Sequence, residues 1–214
     1  MPVPAFPPAN STEPHPDLDH FLSIPWTNSL ITAPNVTILP PIRCRQLKES
    51  TEDQLFADTF RTPQTILAML SFHPHQLCSN SSSNRLLPVV STLFDLGIRL
   101  NGYAGVVHGG VVVTIIDESM GIFLSRNQER GAFSRDGSMK MGEDGNGDVM
   151  TGELKVKFIR PVRTPGVVKV DVKLGKVEGR KYGVLAEMTD SDGVLVARGE
   201  GLWIAMKGNQ TANL

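Results

Sequence analysis

Residues 101–125 read NGYAGVVHGGVVVTIIDESMGIFLS, and the rest of the chain is organised around them. A glycine-flanked loop, Gly102 to Gly110, carries one histidine, His108. An apolar run, Val111 to Leu124, follows and is interrupted by Asp117 and Glu118. Its Val-Val-Val-Thr-Ile-Ile start also fits a buried strand. The glycine entry and a length near 15 residues favour a helix, roughly 22 Å long. Apolar on nearly all sides, such a helix is a core helix wrapped by a sheet. Charges inside it cost free energy unless they are paired or used.

Downstream, Arg126 to Asp148 is polar and glycine-rich and reads as a long loop. Thr151 to Ile159 alternates, with Leu154, Val156 and Phe158 on one face and Glu153, Lys155 and Lys157 on the other. Val167 to Val177 alternates likewise, Tyr182 to Thr189 is the next strand, and Ser191-Asp192-Gly193 turns the chain into Val194 to Met206. Gly199 and Gly201 in that last strand imply a bulge or a close backbone approach. Upstream, Val89 to Leu100 is rich in strand formers and leads into the glycine loop. Strand, long helix, then an antiparallel meander is an α+β pattern.

Residues 1–85 read as an N-terminal extension, with a Pro-rich, polar and mobile start over residues 1–20. Residues 21–48 read as irregular structure or a short helix. Thr51 to Phe72 reads as two short helices divided by Pro63. Ser79 to Asn84, SNSSSN, reads as the loop before a core domain at 86–207, with a tail at 208–214.

A chain of 214 residues, 40% hydrophobic, can bury a sizeable core. A net charge of -1 gives no support for nucleic acid or an anionic membrane surface. Cys44 and Cys78 are too few for a disulfide framework, so reduced thiols in an intracellular, cytoplasmic protein are the expectation. No apolar run reaches the roughly 18 residues of a membrane span. The proline-studded start lacks the basic cap and apolar stretch of a signal peptide, so the N-x-Ser/Thr triplets at Asn10, Asn35, Asn80 and Asn209 read as chance.

A helix starting at Gly109 would present bare N–H groups and the positive end of its dipole to an electron-rich ligand. Those groups, at Gly109 and Gly110, suit a carbonyl oxygen gaining negative charge. Asp117, about two turns on, suits a base for water or a carboxylate nucleophile. The plain alternative is that Asp117 and Glu118 form a solvated helix face or an interface pair. Other chemistries fit less well. The serine-hydrolase elbow G-x-S-x-G is not matched by Asp117-Glu118-Ser119-Met120-Gly121, which lacks the first glycine. His15, His20, His73 and His75 have no metal-ligand spacing. The loop matches neither nucleotide-cradling pattern.

Gly105-Val-Val-His108-Gly109-Gly110, then Thr114-Ile-Ile-Asp117-Glu118 and Gly121, resembles the signature of hotdog-fold thioesterases. The branch it looks like is the PaaI-like one, which includes the animal acyl-CoA thioesterases of the thioesterase superfamily member type. Thr151-Gly-Glu-Leu-Lys-Val-Lys-Phe-Ile-Arg-Pro161 resembles that family's first strand after the helix. A lone His-Gly-Gly is a weak signal; with the acidic residue nine positions on and the matching strand it is specific. The resemblance covers about residues 88–206, and the N-terminal extension resembles that of fungal members.

The resemblance implies a hotdog fold, a long helix wrapped by an antiparallel sheet. It implies homodimers, often paired into tetramers, with active sites at the dimer interface. Gly109 N–H would polarise the thioester carbonyl. Asp117 of the opposite protomer would activate water or attack directly. Thr151 would orient the water or the carboxylate, and His108 would shape the loop or touch the thioester. Gly110, Asn101, Tyr103 and Arg160 would contact substrate. Asn101 stands seven residues before His108, where the family often has Asn about six before. Tyr103 stands where the family often has His or Pro. No metal or cofactor is implied, and coenzyme A enters as part of the substrate.

Three functional expectations follow. One is hydrolysis of acyl-CoA. Another is release of an acyl or polyketide chain from a carrier protein, with loop 126–148 and the extension as partner surfaces. The third is a non-catalytic acyl-binding or scaffolding dimer. Hydratase or dehydratase chemistry on the same fold would need His108 to face a second carboxylate, and the His-to-Asp spacing fits thioesterases better.

Overall fold

The computed structural model describes residues 15–74, 86–133 and 149–206. Its elements in chain order are α1 (Leu18–Leu22), α2 (Pro25–Ile31), β1 (Val36–Ile38), β2 (Ile66–Pro74) and β3 (Val89–Leu96). Then come β4 (Asn101–Tyr103), β5 (Val106–Val107), α3 (Gly109–Glu129), β6 (Val149–Phe158), β7 (Gly166–Glu178), β8 (Lys181–Thr189) and β9 (Leu195–Ala205). Seven strands form one antiparallel sheet in the order β1-β2-β3-β7-β8-β9-β6, and β4 and β5 form a small separate hairpin.

Helix α3 lies along the inner face of that sheet. Its Ile115, Ile116, Met120 and Phe123 are fully buried against Val170 of β7 and Val184 and Met188 of β8. The alternation of β7 sets this up: Val168, Val170 and Val172 turn inward, and Lys169, Asp171 and Lys173 lie between them. One long helix held in the curve of one antiparallel sheet is the hotdog fold that the resemblance implies, and it matches the α+β pattern read from the strands and helix. Gly199 and Gly201 mark a close approach. A Cβ at Gly199 would fall 2.4 Å from Ile116 Cγ2, and one at Gly201 would fall 2.6 Å from Met120 Sδ. The register shifts of β9 lie elsewhere, so neither glycine is a bulge.

The outer face of the sheet is covered over β2 and β3. Phe21 of α1 and Ile31 of α2 pack with Leu70 and Phe72 of β2 and Leu93 of β3 in a second core. His20 Nε2 pairs with Asp95 Oδ2 at 2.7 Å, and Asp17 accepts the Met69 N–H at 3.0 Å. The short helix expected within 21–48 is α2, with Pro25 in its first turn, whereas α1 begins at Leu18, inside the start expected to be mobile, and is held there by the Asp17 and His20 contacts.

Two expectations are corrected. Thr51 to Phe72 is not a pair of helices. It holds one π-helical turn, Leu55–Thr59, and then β2. Both faces of β2 are covered, by α3's core on one side and α1 and α2 on the other, so its residues do not alternate. Positions before residue 86 thus supply two strands to the sheet.

The loop expected from Arg126 also begins later, because α3 runs to Glu129. Buried Asn127 carries the helix onward: its carboxamide accepts from Leu87 N–H at 2.6 Å and donates to Phe123 O at 3.0 Å. Arg126 donates to the carbonyls of Pro40 and Pro41 at 2.7 and 2.9 Å and ties the strap before Cys44 to the helix. The remaining loop positions 134–148, the SNSSSN segment, Cys78 and the residues before 15 lie outside the described residues.

Candidate active site

The loop before α3 is pinned from two sides. Val107 N–H donates to Val162 O at 3.0 Å, and His108 N–H donates to Leu100 O at 2.8 Å. Gly105, with φ of 69°, takes the left-handed turn between β4 and β5 that a residue with Cβ rarely adopts. His108 is then delivered as the N-cap of α3 in extended conformation. Its Nδ1 accepts from Gly110 N–H at 3.0 Å. In the neutral ring the proton therefore sits on Nε2. Gly110's N–H is taken by this cap, and Gly109's N–H meets no acceptor among the described residues.

Beside that free amide is a cavity of about 540 Å³ lined by Tyr103, His108, Gly109, Phe158, Arg160 and Val162. Tyr103 is 83% exposed and Phe158 55% exposed. Phe158 shares a face with Leu154 and Val156, as the strand alternation expects. Opposite Ala197 of β9, it turns toward α3 with its ring against Gly109, and it stays exposed because β6 is an edge strand.

Asp117 lies elsewhere on the helix. Eight residues at 1.5 Å each separate it from Gly109 by about 12 Å along the axis. Thr151 Oγ1 donates to Asp117 Oδ1 at 2.9 Å. Burial pushes the Asp117 carboxyl above its ordinary value, and the Thr151 hydrogen bond pulls it partly back.

The neighbouring acid has a different setting. Glu118 meets Cys44 of the strap, and burial raises it to about 7, with the charges of Asp53 and Asp117 adding to the rise and the Cys44 hydrogen bond and Lys48 opposing it. Burial, first, and then Glu118 push the Cys44 thiol up, so it is inert as a nucleophile.

The structure thus sorts the expected residues into two groups. His108, Gly109, Tyr103 and Arg160 surround the cavity, and Asp117 and Thr151 form a hydrogen-bonded pair away from it. Asn101 joins neither group; its carboxamide oxygen accepts from Thr164 Oγ1. Sequence reasoning missed Glu118's attachment to Cys44, since nothing local links positions 44 and 118. Among the described residues no three His, Cys, Asp or Glu side chains are grouped to hold a metal ion. No helix there is long and apolar enough to cross a membrane.

Comparison with known proteins adds family evidence. The family model described as thioesterase superfamily matches residues 104–197. Verlamelin biosynthesis protein B of Lecanicillium sp is 24% identical over 204 residues, 88% of this chain and 87% of that protein. The acyl-coenzyme A thioesterase THEM4 of Rattus norvegicus is 35% identical over 100 residues, 47% of this chain. The match spans only 35% of that thioesterase's own length. An uncharacterised protein of Schizosaccharomyces pombe is 30% identical over 139 residues, 63% of this chain and 67% of that protein.

Proposed function

Because the chain belongs to the thioesterase superfamily, we propose that it hydrolyses acyl-coenzyme A thioesters to the free acid and coenzyme A. The observation that carries this reading is the Thr151–Asp117 hydrogen bond, which fixes a raised carboxylate on a helix whose far N-terminal amide is free. In the water route, Asp117 takes a proton from water and the hydroxide attacks the thioester carbonyl. The oxyanion that forms is held by Gly109 N–H at the positive end of α3. The carbonyl then re-forms, the C–S bond breaks, and the thiolate leaves with the proton from Asp117. In the nucleophile route Asp117 attacks first and displaces the coenzyme A thiolate. Water then hydrolyses the resulting anhydride, giving the acid and the free Asp117 carboxylate, and the proton released goes to the thiolate. Arg160 and Tyr103 at the cavity mouth contact the substrate, and His108 shapes the loop.

The groups that must meet one carbonyl cannot do so within one chain. Reacting atoms approach to about 3–3.5 Å, whereas Gly109 and Asp117 are about 12 Å apart along the helix. The reading therefore takes the enzyme as a homodimer, with α3 of two protomers antiparallel and each Asp117 serving the partner's helix N-terminus.

The experiment is release of free thiol from a panel of acyl-CoAs by wild type and Asp117→Asn. Turnover by the wild type, with kcat lowered about 10²–10⁴-fold in the variant, is the expected result. No turnover of any chain defeats the hydrolytic reading and favours the acyl-binding dimer; turnover by an Asp117→Asn protein equal to wild type defeats the role given to Asp117.

A second reading keeps the chemistry and takes the acyl or polyketide chain from a carrier protein in secondary metabolism. It is supported by the likeness to the verlamelin biosynthesis protein, which runs over most of this chain. Comparing one acyl group on CoA and on a carrier protein decides between them.

A further inference from the structure

Tyr182 on β8 stands directly opposite Trp203 on β9, and Trp203 stands opposite Thr151 on β6. Directly opposed residues project to the same face, about 5 Å apart. Thr151 reaches Asp117 on α3, so this is the face turned to the helix. The row Thr151, Trp203, Tyr182 leads from the proposed catalytic carboxylate into the interior.

Two polar atoms on this row have no partner. The Tyr182 hydroxyl and the Trp203 indole N–H are buried and meet no hydrogen-bonding group among the described residues. Tyr182 is 0% exposed and Trp203 7% exposed. Their neighbours are apolar. Phe133 stands edge-on to Tyr182 with ring centroids 5.3 Å apart. The indole is accommodated by two glycines. A Cβ at Gly121, one turn past Asp117, would come 3.3 Å from Trp203 Cη2, and one at Gly201 would come 3.1 Å from Trp203 Nε1. Buried donors left unpaired are rare in native proteins and call for a bound molecule or a water. Here two of them are carried by directly opposed residues, on the row that begins at the carboxylate.

We propose that Tyr182 and Trp203 hydrogen-bond an oxygen carried on the acyl chain, so that the enzyme prefers a thioester whose chain bears a hydroxyl or oxo group. This rests on the proposed hydrolysis at Asp117. The indole N–H only donates, and the phenol donates or accepts. A hydroxyl oxygen accepts from Trp203 and exchanges a hydrogen bond with Tyr182, and an oxo group accepts from both. A plain methylene leaves both atoms unpaired, which is the condition under which a polar site rejects an analogue most strongly.

The test compares saturated acyl-CoAs with the same chains hydroxylated at successive carbons, on wild type, Tyr182→Phe and Trp203→Phe. The expected result is a kcat/KM at least about 10-fold higher for a hydroxylated chain in wild type, with the ratio falling toward one in Tyr182→Phe. Equal turnover of plain and hydroxylated chains by wild type overturns the proposal. So does a preference that survives both substitutions, whatever they do to thermal stability. Binding of the free acids, plain and hydroxylated, is measured by calorimetry on the same three proteins, and this readout does not need turnover. Tighter binding of a hydroxylated acid that is lost in Tyr182→Phe supports the subsite even if no thioester is hydrolysed. Equal binding of all acids overturns it even if hydrolysis at Asp117 stands.

Discussion

Thr151 on the edge strand and Asp117 on the long helix are joined by a hydrogen bond of 2.9 Å across 34 positions of sequence. The carboxylate's basicity is therefore set by two elements at once. The helix buries it, which raises its pKa above 3.8, and the strand supplies the hydroxyl that lowers it again.

This fixes the sign of a pH effect. A base acts only when ionised, so activity falls as pH drops through the raised Asp117 value. Removing the opposing hydrogen bond in Thr151→Val raises that value further. The acid limb of kcat/KM is expected to move to higher pH, with the plateau lowered roughly 10-fold. A pH–rate profile checks it, and a limb that stays in place or moves down contradicts the pairing.

Subunit mixing tests where the site is completed. Asp117→Ala and Gly109→Pro each damage both sites of their own dimer. A mixed dimer holds one site with both groups intact and one with neither. Activity is expected to reappear once exchange between the two proteins has been demonstrated by differential tagging. Proven heterodimers with no more activity than either parent count against a shared site.

Glu118 gives a stability signature distinct from activity. Its pKa is raised from 4.5 to about 7, first by burial. The folded state binds this proton more tightly than the unfolded state. The contribution is fully present below about 4.5 and is lost as pH rises through about 7. Glu118→Gln should match wild type near pH 4 and exceed it above about pH 8, by at most about 3 kcal/mol. Thermal melts of both proteins across that range decide. A wild type that gains stability over the same interval would reverse the assignment.

The crossing of helix and sheet is tight at Gly199, where a Cβ would fall 2.4 Å from Ile116. Ile116 is fully buried and has no room to retreat. Gly199→Ala is expected to lose about 1–3 kcal/mol through overpacking, read from the midpoint of urea unfolding. An unchanged midpoint would mean that α3 rides higher on the sheet than described.

The loop, the helix start and the last strands were legible because each has a one-sided pattern. Val168, Val170 and Val172 alternate with charged residues because one face of β7 is buried and the other carries Lys169, Asp171 and Lys173. β2 was misread because Ile-Leu-Ala-Met-Leu has no such alternation. Both its faces are covered, and the cover on one face comes from α1 and α2 more than thirty residues away. The end of α3 was misread because Arg126 and Asn127 look solvated in sequence. Their partners, the carbonyls of Pro40 and Pro41 and the backbone of Leu87, are distant. In the site, the helix start at Gly109 and the place of Asp117 two turns on follow from local spacing. That His108 caps the helix through Nδ1, that Glu118 belongs to Cys44, or that Phe158 lies beside Gly109, requires the folded chain.

Strand β3 sits between β2 and β7, in the middle of the sheet. The stretch matched by the family model runs from 104 to 197, starting after β3 and stopping just inside β9. The stretch that the family model matches is thus smaller than the unit that folds. A fragment trimmed to it would keep α3 but lose β1 to β3 on one side and most of β9 on the other. β7 and β8 would then both be raw edges with amides and carbonyls unmatched, templates for joining other chains. Such a fragment is expected to precipitate or assemble in mixed sizes, and anyone borrowing this catalyst as a module would have to carry the residues from α1 onward with it.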